Sequence, residues 1–132
     1  FKIMKIIGIG VDIVNNKRIK SSIKSKKFII RTFSRNEILK SDKITNKTNY
    51  FAKRFAAKEA LAKAIGIGFR KGLNFKDIQV LNNKLGKPDY KVTQKLKNLI
   101  KKNKKIKNFH LFLSISDEKD YSIAFAIIQK IQ

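Results

Sequence analysis

The chain has 132 residues, 42% of them hydrophobic, with one proline and no cysteine, which suits a single domain with its own core and does not suit a disordered chain. Without thiols, and with one histidine, disulfides and zinc clusters are excluded; any metal has to sit among oxygen ligands, which favours magnesium, manganese or calcium. Thirty-two Lys and Arg against nine Asp and Glu give a formal charge of +23, pointing to a polyanionic partner of unspecified kind.

Part of that excess is the lysine bias of a chain rich in Lys, Ile and Asn together. No apolar run reaches the length of a membrane span, and the start lacks the apolar stretch of a signal peptide, so a soluble, cytoplasmic protein with no membrane partner is expected. Residues 1–3, ahead of Met4, are expected to be a remnant foreign to the native chain.

The first predicted element is a strand at residues 5–13, KIIGIGVDI. Alternation places Ile7, Ile9, Val11 and Ile13 on one face and Gly8, Gly10 and Asp12 on the other. Asn15 or Asn16 is positioned to cap a helix carrying Arg18, Ile19 and Ile23, which leads to the apolar cluster Phe28, Ile29, Ile30 and Phe33. Ser34 and Glu37 have capping-box spacing for a short second helix. Residues 41–48, SDKITNKT, read as a loop, and 51–68, FAKRFAAKEALAKAIGIG, as one long amphipathic helix stopped by Gly66. FKDIQVL (75–81) reads as a strand, Asn82-Asn83 to Gly86-Lys87-Pro88 as a turn, and Thr93 as the cap of a helix carrying Leu96, Leu99 and Ile100. The lysines at 101, 102, 104, 105 and 107 form a solvated helix end. LFLSIS (111–116), the turn DEKD and YSIAFAII (121–128) make an antiparallel hairpin. The predicted class is α+β: one domain, residues 1–132, with an antiparallel sheet against one long helix and shorter helices.

Two segments carry candidate chemistry. In the long helix, Ala52, Ala56 and Ala60 form a narrow seam that admits another backbone, and Glu59 and Lys63 stack as an i,i+4 pair. Glu59 is thus either a ligand carried toward a neighbouring element or half of a solvated ion pair. In the first strand, two glycines beside Asp12 clear space for a ligand or for another backbone, at a cost in strand stability. Asp12 is equally placed to cap the helix that follows.

Four motifs in order resemble the holo-acyl-carrier-protein synthases, small bacterial 4′-phosphopantetheinyl transferases: GIGVDI (8–13) with Arg18 six residues after the Asp, FAKRFAAKEALAKAIGIG (51–68), GKP (86–88), and SIS followed by KDYSIA (114–124). The similarity covers nearly the whole chain. It implies transfer of the phosphopantetheine arm of coenzyme A to a serine of apo acyl carrier protein, with adenosine 3′,5′-bisphosphate released and Mg2+ required. The resemblance makes Asp12 and Glu59 the magnesium ligands and, with Lys63, the catalytic set. Lys63 would reach a phosphate, and Arg54, Lys58, Gly66, Gly68, Lys87 and Pro88 become candidates for holding coenzyme A. Arg18, with Lys24 and Arg31, would dock the acidic carrier. A homotrimer with active sites between protomers is also implied. Two carboxylates about 4 Å apart repel by about 4 kcal/mol at an effective dielectric near 20, so bringing Asp12 and Glu59 together is costly unless a cation lies between them.

One departure stands out: after SIS the family commonly has a histidine that contacts phosphate, and here Asp117 follows. His110 lies near the start of that strand and reads as structural or partly exposed. The competing reading is a small basic nucleic-acid-binding module, which the charge favours but which leaves Gly8, Gly10, Asp12, Glu59 and the GKP turn unexplained.

Overall fold

The computed structural model describes residues 3–131, so Phe1 and Lys2, on which the expected foreign remnant chiefly falls, lie outside the described residues. The chain runs β1 (Met4–Asn15), α1 (Asn16–Ser22), α2 (Lys26–Thr32), α3 (Arg35–Ser41), α4 (Lys47–Ile65), a 3-10 turn at Phe75–Asp77, β2 (Gln79–Asn82), β3 (Pro88–Lys91), α5 (Gln94–Lys104), β4 (Asn108–Asp117) and β5 (Tyr121–Ile131). This is the α+β class expected. An antiparallel sheet of order β1-β5-β4 carries the long helix, and β2 and β3 form a separate hairpin.

The caps read from the sequence are in place. Asn15 accepts from the Lys17 amide, Ser34 and Glu37 close a reciprocal capping box, Thr93 accepts from the Leu96 amide, and Gly66 ends α4 at φ 91°. Asn16 does something else. Its side-chain amide donates to the carbonyls of Glu118 and Lys119 and accepts from the Ser122 hydroxyl, pinning the β4–β5 turn to the end of β1.

Several expectations are corrected. Helix α4 starts at Lys47 inside the predicted loop, because Asn46 caps it through the Asn49 amide. It is also buried on nearly every side rather than amphipathic, as befits a helix with packed elements all around it. The predicted strand at 75–81 divides into the 3-10 turn and the shorter β2. The first strand has the predicted alternation, and the fold decides which of its two faces is the inner one. Gly10 and Val14 are buried toward α4, whereas Ile9, Val11 and Ile13 point away and are 58%, 52% and 60% exposed. A register shift between Ile6 and Gly8 lets Ile7 leave that outer row and pack against the core.

The inner face is small because the helix lies close. A Cβ at Gly10 would fall 1.8 Å from the Ala60 carbonyl oxygen, and one at Gly8 2.4 Å from that of Ala64. Opposite lie the buried Ala124 and Ala126 of β5. The alanine seam of α4 and the glycines of β1 are therefore two sides of one backbone-to-backbone contact. On its far side α4 is tied down by a buried ion pair. Lys58 Nζ lies 2.7 Å from Glu37 Oε1 and also donates to the carbonyls of Phe75 and Ile78, while Glu37 accepts from the amides of Ser34 and Val80. Burial pushes the Lys58 pKa down and Glu37 counters it, and the surrounding hydrogen bonds make the pair tolerable in the interior.

Gly10→Ala is expected to destabilise the fold by about 3 kcal/mol, since the new methyl group meets backbone rather than a side chain that can swing aside. Urea unfolding measures this; a loss below about 1 kcal/mol would mean that the strand and helix are free to separate.

Candidate active site

Asp12 follows the two glycines on the helix-facing side of β1, so the contact that seats α4 also delivers this carboxylate beside the helix. Its side chain is 15% exposed. Glu59 comes from α4, one residue before Ala60, the residue that touches Gly10. Burial, first, and then the negative charge of Asp12 push the Glu59 carboxyl above its ordinary pKa, with Lys63 and Arg18 pulling it partly back. Two acids distant in sequence thus share one neighbourhood.

Lys63 departs from the expected i,i+4 pairing. Its ammonium crosses to β1, 3.1 Å from Asp12 Oδ1 and 3.0 Å from the Val11 carbonyl oxygen. The side chain remains 54% exposed, so it holds the acid while its charge faces solvent. Arg18, exposed on α1, sits with its guanidinium 6.0 Å from the Phe55 ring centroid, and Phe55 precedes Glu59 by one helical turn. Arg31 lines a neighbouring groove of about 720 Å³ walled by Phe28, Phe55, Phe69 and Phe75. Lys24 is exposed just beyond α1.

The other basic candidates separate from this cluster. Arg54 is buried on the far side of α4, roughly 140° around the helix from Glu59. It lies 3.7 Å from the Tyr50 ring centroid and donates to Asn82 Oδ1 at 2.5 Å, and its Nε has no partner among the described residues. It borders a cavity of about 640 Å³ that Lys40, Lys43 and Lys53 also line, with Gly86 at its edge. Lys87 and Pro88 follow directly in the β2–β3 hairpin. Lys58 is corrected: fully buried and engaged by Glu37, Phe75 and Ile78, it has no donor to offer a ligand. Gly66 and Gly68 also fit phosphate poorly, since they follow the carbonyl end of α4, where the helix dipole repels anions.

Asp117 ends β4 and accepts from Asn49 Nδ2 at 2.6 Å, which fastens it to the first turn of α4. His110 is exposed on β4, its ring 6.4 Å from that of Phe112. Sequence reasoning did not single out Glu37 as a buried partner, nor Tyr50, Asn82 and the lysines around Arg54. For Lys58 the signal was present: it lies three residues beyond Phe55 and seven beyond Phe51, on the face those rings bury.

A bound metal would find two carboxylates here and no more, because the described residues contain no group of three or more His, Cys, Asp or Glu able to hold one. That donor set fits magnesium, which is commonly held by one or two carboxylates with water and substrate phosphate completing its octahedron.

The model of the 4′-phosphopantetheinyl transferase superfamily matches residues 8–126. A holo-[acyl-carrier-protein] synthase of Pelagibacter ubique is 62% identical over 127 residues, spanning 96% of this chain and 99% of its own. The crystal structure of a holo-[acyl-carrier-protein] synthase from Neisseria meningitidis matches with a TM-score of 0.84 at 38% identity, covering 94% of this chain and 98% of that one. One from Bacillus anthracis, in complex with CoA (3′,5′-ADP), matches with a TM-score of 0.79 at 33% identity, covering 97% and 99%. With its two acids brought together between β1 and α4 and nearly its whole length matched, the chain belongs to the holo-[acyl-carrier-protein] synthase family of 4′-phosphopantetheinyl transferases.

Proposed function

We infer that this single-domain protein transfers the 4′-phosphopantetheine arm of coenzyme A to a serine of apo acyl carrier protein, giving the holo carrier and adenosine 3′,5′-bisphosphate. The observation that carries this reading is the convergence of Asp12 and Glu59 with Lys63 beside them. A nucleic-acid-binding module would have no use for two acids held together against their own repulsion.

Asp12 and Glu59 would hold Mg2+, which when bound supplies charge neutralisation for the diphosphate. Lys63, anchored on Asp12 and open to solvent, offers its ammonium to a phosphate oxygen. The carrier serine gives up its proton to Glu59 or to a water next to it, a new Oγ–P bond forms, and the P–O bond to the nucleotide half breaks. An elevated pKa suits Glu59 to accept that proton. Arg18, Arg31 and Lys24 receive the acidic surface of the carrier, beside the aromatic groove and one helical turn from Glu59.

The nucleotide half belongs to the cavity of Arg54, Lys40, Lys43 and Lys53, with Lys87 next in sequence to Gly86 at its edge. Because Arg54 and Glu59 lie on different sides of α4, a coenzyme A that touches both kinds of site has to lie between two protomers. The outward face of the sheet supports a homotrimer, since Ile9, Val11, Ile13, Phe112, Ile123 and Phe125 are all between 39% and 60% exposed there. None of the described helices is long and apolar enough to cross a membrane, and we place the reaction in the cytoplasm.

Incubation with apo acyl carrier protein, coenzyme A and magnesium tests the function directly: the carrier gains the mass of one arm, and omission of magnesium abolishes the gain. Glu59→Gln lowers kcat/KM by about 100-fold or more. It also raises the Tm of the metal-free protein near neutral pH. The raised Glu59 pKa means that the folded state holds this proton more tightly than the unfolded one. Its contribution therefore turns unfavourable as pH rises from the ordinary glutamate value through the raised one, and the variant escapes that loss. Arg18→Glu raises the KM for the carrier about tenfold or more and leaves that for coenzyme A within about twofold; equal changes in both would remove the docking assignment. Phe125→Asp gives a monomer by light scattering that has lost transfer activity; an active monomer would refute a site shared between protomers.

A further inference from the structure

The cavity around Arg54 is lined in part by a residue to which no role has been assigned so far. Asn82, the last residue of β2, uses both ends of its side-chain amide. Its Oδ1 accepts from Arg54 Nη2 at 2.5 Å, and its Nδ2 donates to the Gly86 carbonyl oxygen at 2.9 Å. A flipped amide would set its NH2 group against the guanidinium and its oxygen against a carbonyl, so one orientation is fixed by both partners. The same side chain thereby joins the cation on α4 to the turn that carries Lys87 and Pro88.

The neighbouring links share this pattern. Tyr50 stacks under the guanidinium, and the Tyr90 hydroxyl donates to the Ala57 carbonyl. Beneath them, Glu37 and Lys58 tie the other end of β2 to α4 through the Val80 amide and the Ile78 carbonyl. Those contacts fix the hairpin as a body. Asn82 alone among them reaches both the guanidinium and the Gly86 turn. The guanidinium itself has spare capacity: Nε is buried without a partner among the described residues, and the Nη1 contact to the Tyr50 carbonyl is long, at 3.5 Å.

We propose that Asn82 is a positioning residue for the nucleotide half of coenzyme A, setting the guanidinium of Arg54 and the Gly86–Lys87 turn at a fixed separation so that both meet the same anionic group. This rests on the reading of the Arg54 cavity as the nucleotide site. Asn82 touches neither the acids nor Lys63, so its influence falls on binding of coenzyme A and not on the transfer step or the carrier.

The test is steady-state kinetics, with calorimetric binding of adenosine 3′,5′-bisphosphate, on the full chain carrying Asn82→Ala, Asn82→Asp or Arg54→Ala. Asn82→Asp keeps an acceptor for Arg54 but removes the donor to Gly86 and adds a negative charge to a cationic cavity. Asn82→Ala is expected to raise the KM for coenzyme A and the Kd for the bisphosphate about tenfold, and Asn82→Asp at least as much. kcat at saturation and the carrier KM stay within about twofold and thermal unfolding is little altered, a split that a general loss of structure would not give. Weakened binding in Arg54→Ala with normal binding in both Asn82 variants overturns the positioning role while sparing the site. Normal binding in Arg54→Ala overturns both.

Discussion

The backbone contact between β1 and α4 governs everything else in the molecule. Gly8 and Gly10 leave no side chain between the strand and the carbonyls of Ala64 and Ala60, so the strand and helix meet at a separation that any Cβ would forbid. Close approach over that stretch fixes both the rotation and the height of the helix. Asp12, two residues beyond Gly10, and Glu59, one before Ala60, then have little freedom in how they face each other. A looser contact with ordinary side chains would leave room for the helix to turn and the two acids to relax apart.

That freedom is denied at an electrostatic cost. The Glu59 carboxyl sits in a partly buried place with Asp12 nearby, and both effects oppose its ionisation. Lys63 relieves the other acid by bonding Asp12 and the adjacent Val11 carbonyl rather than its own helical neighbour. A divalent cation held between the two acids, as proposed above, would relieve what remains unfavourable for Glu59, which is the sense in which local instability and function would go together. The buried pair on the opposite side of α4 differs in kind. Glu37 and Lys58 are fully engaged by each other and by backbone groups, so they hold the scaffold.

Much of this was readable in the chain, and what was hidden had physical reasons. The caps at Asn15, Ser34, Thr93 and Gly66 are local devices, set by residues within a few positions, and they appear where the sequence places them. The glycines and the alanine seam each announced a close approach, although only the fold shows that they approach each other. The polarity of β1 was not readable, because alternation says which residues share a face and not which face meets the core. An apolar row of Ile9, Val11 and Ile13 would ordinarily be the buried one. Here the smallest residues win the interior because the neighbour is a helix backbone. Lys58 was misjudged for a related cause: a cation three or seven residues from a buried aromatic is on the inward face, and its charge masks that position in any reading by residue type.

The outward row and the two faces of α4 bear on each other. A domain this small has one long helix, and its two sets of polar residues, Glu59 with Lys63 and Arg54 with Asn82, project on different sides of it. One ligand cannot lie along both sides of a helix whose remaining surface is packed, but two copies brought together through their sheets can set the acids of one beside the cations of the other. On this reading the exposed isoleucines and phenylalanines of β1, β4 and β5 are part of the active-site construction. They would supply the apolar area that association needs, and association would bring the far-side half of the cofactor site of one copy to the acids of another.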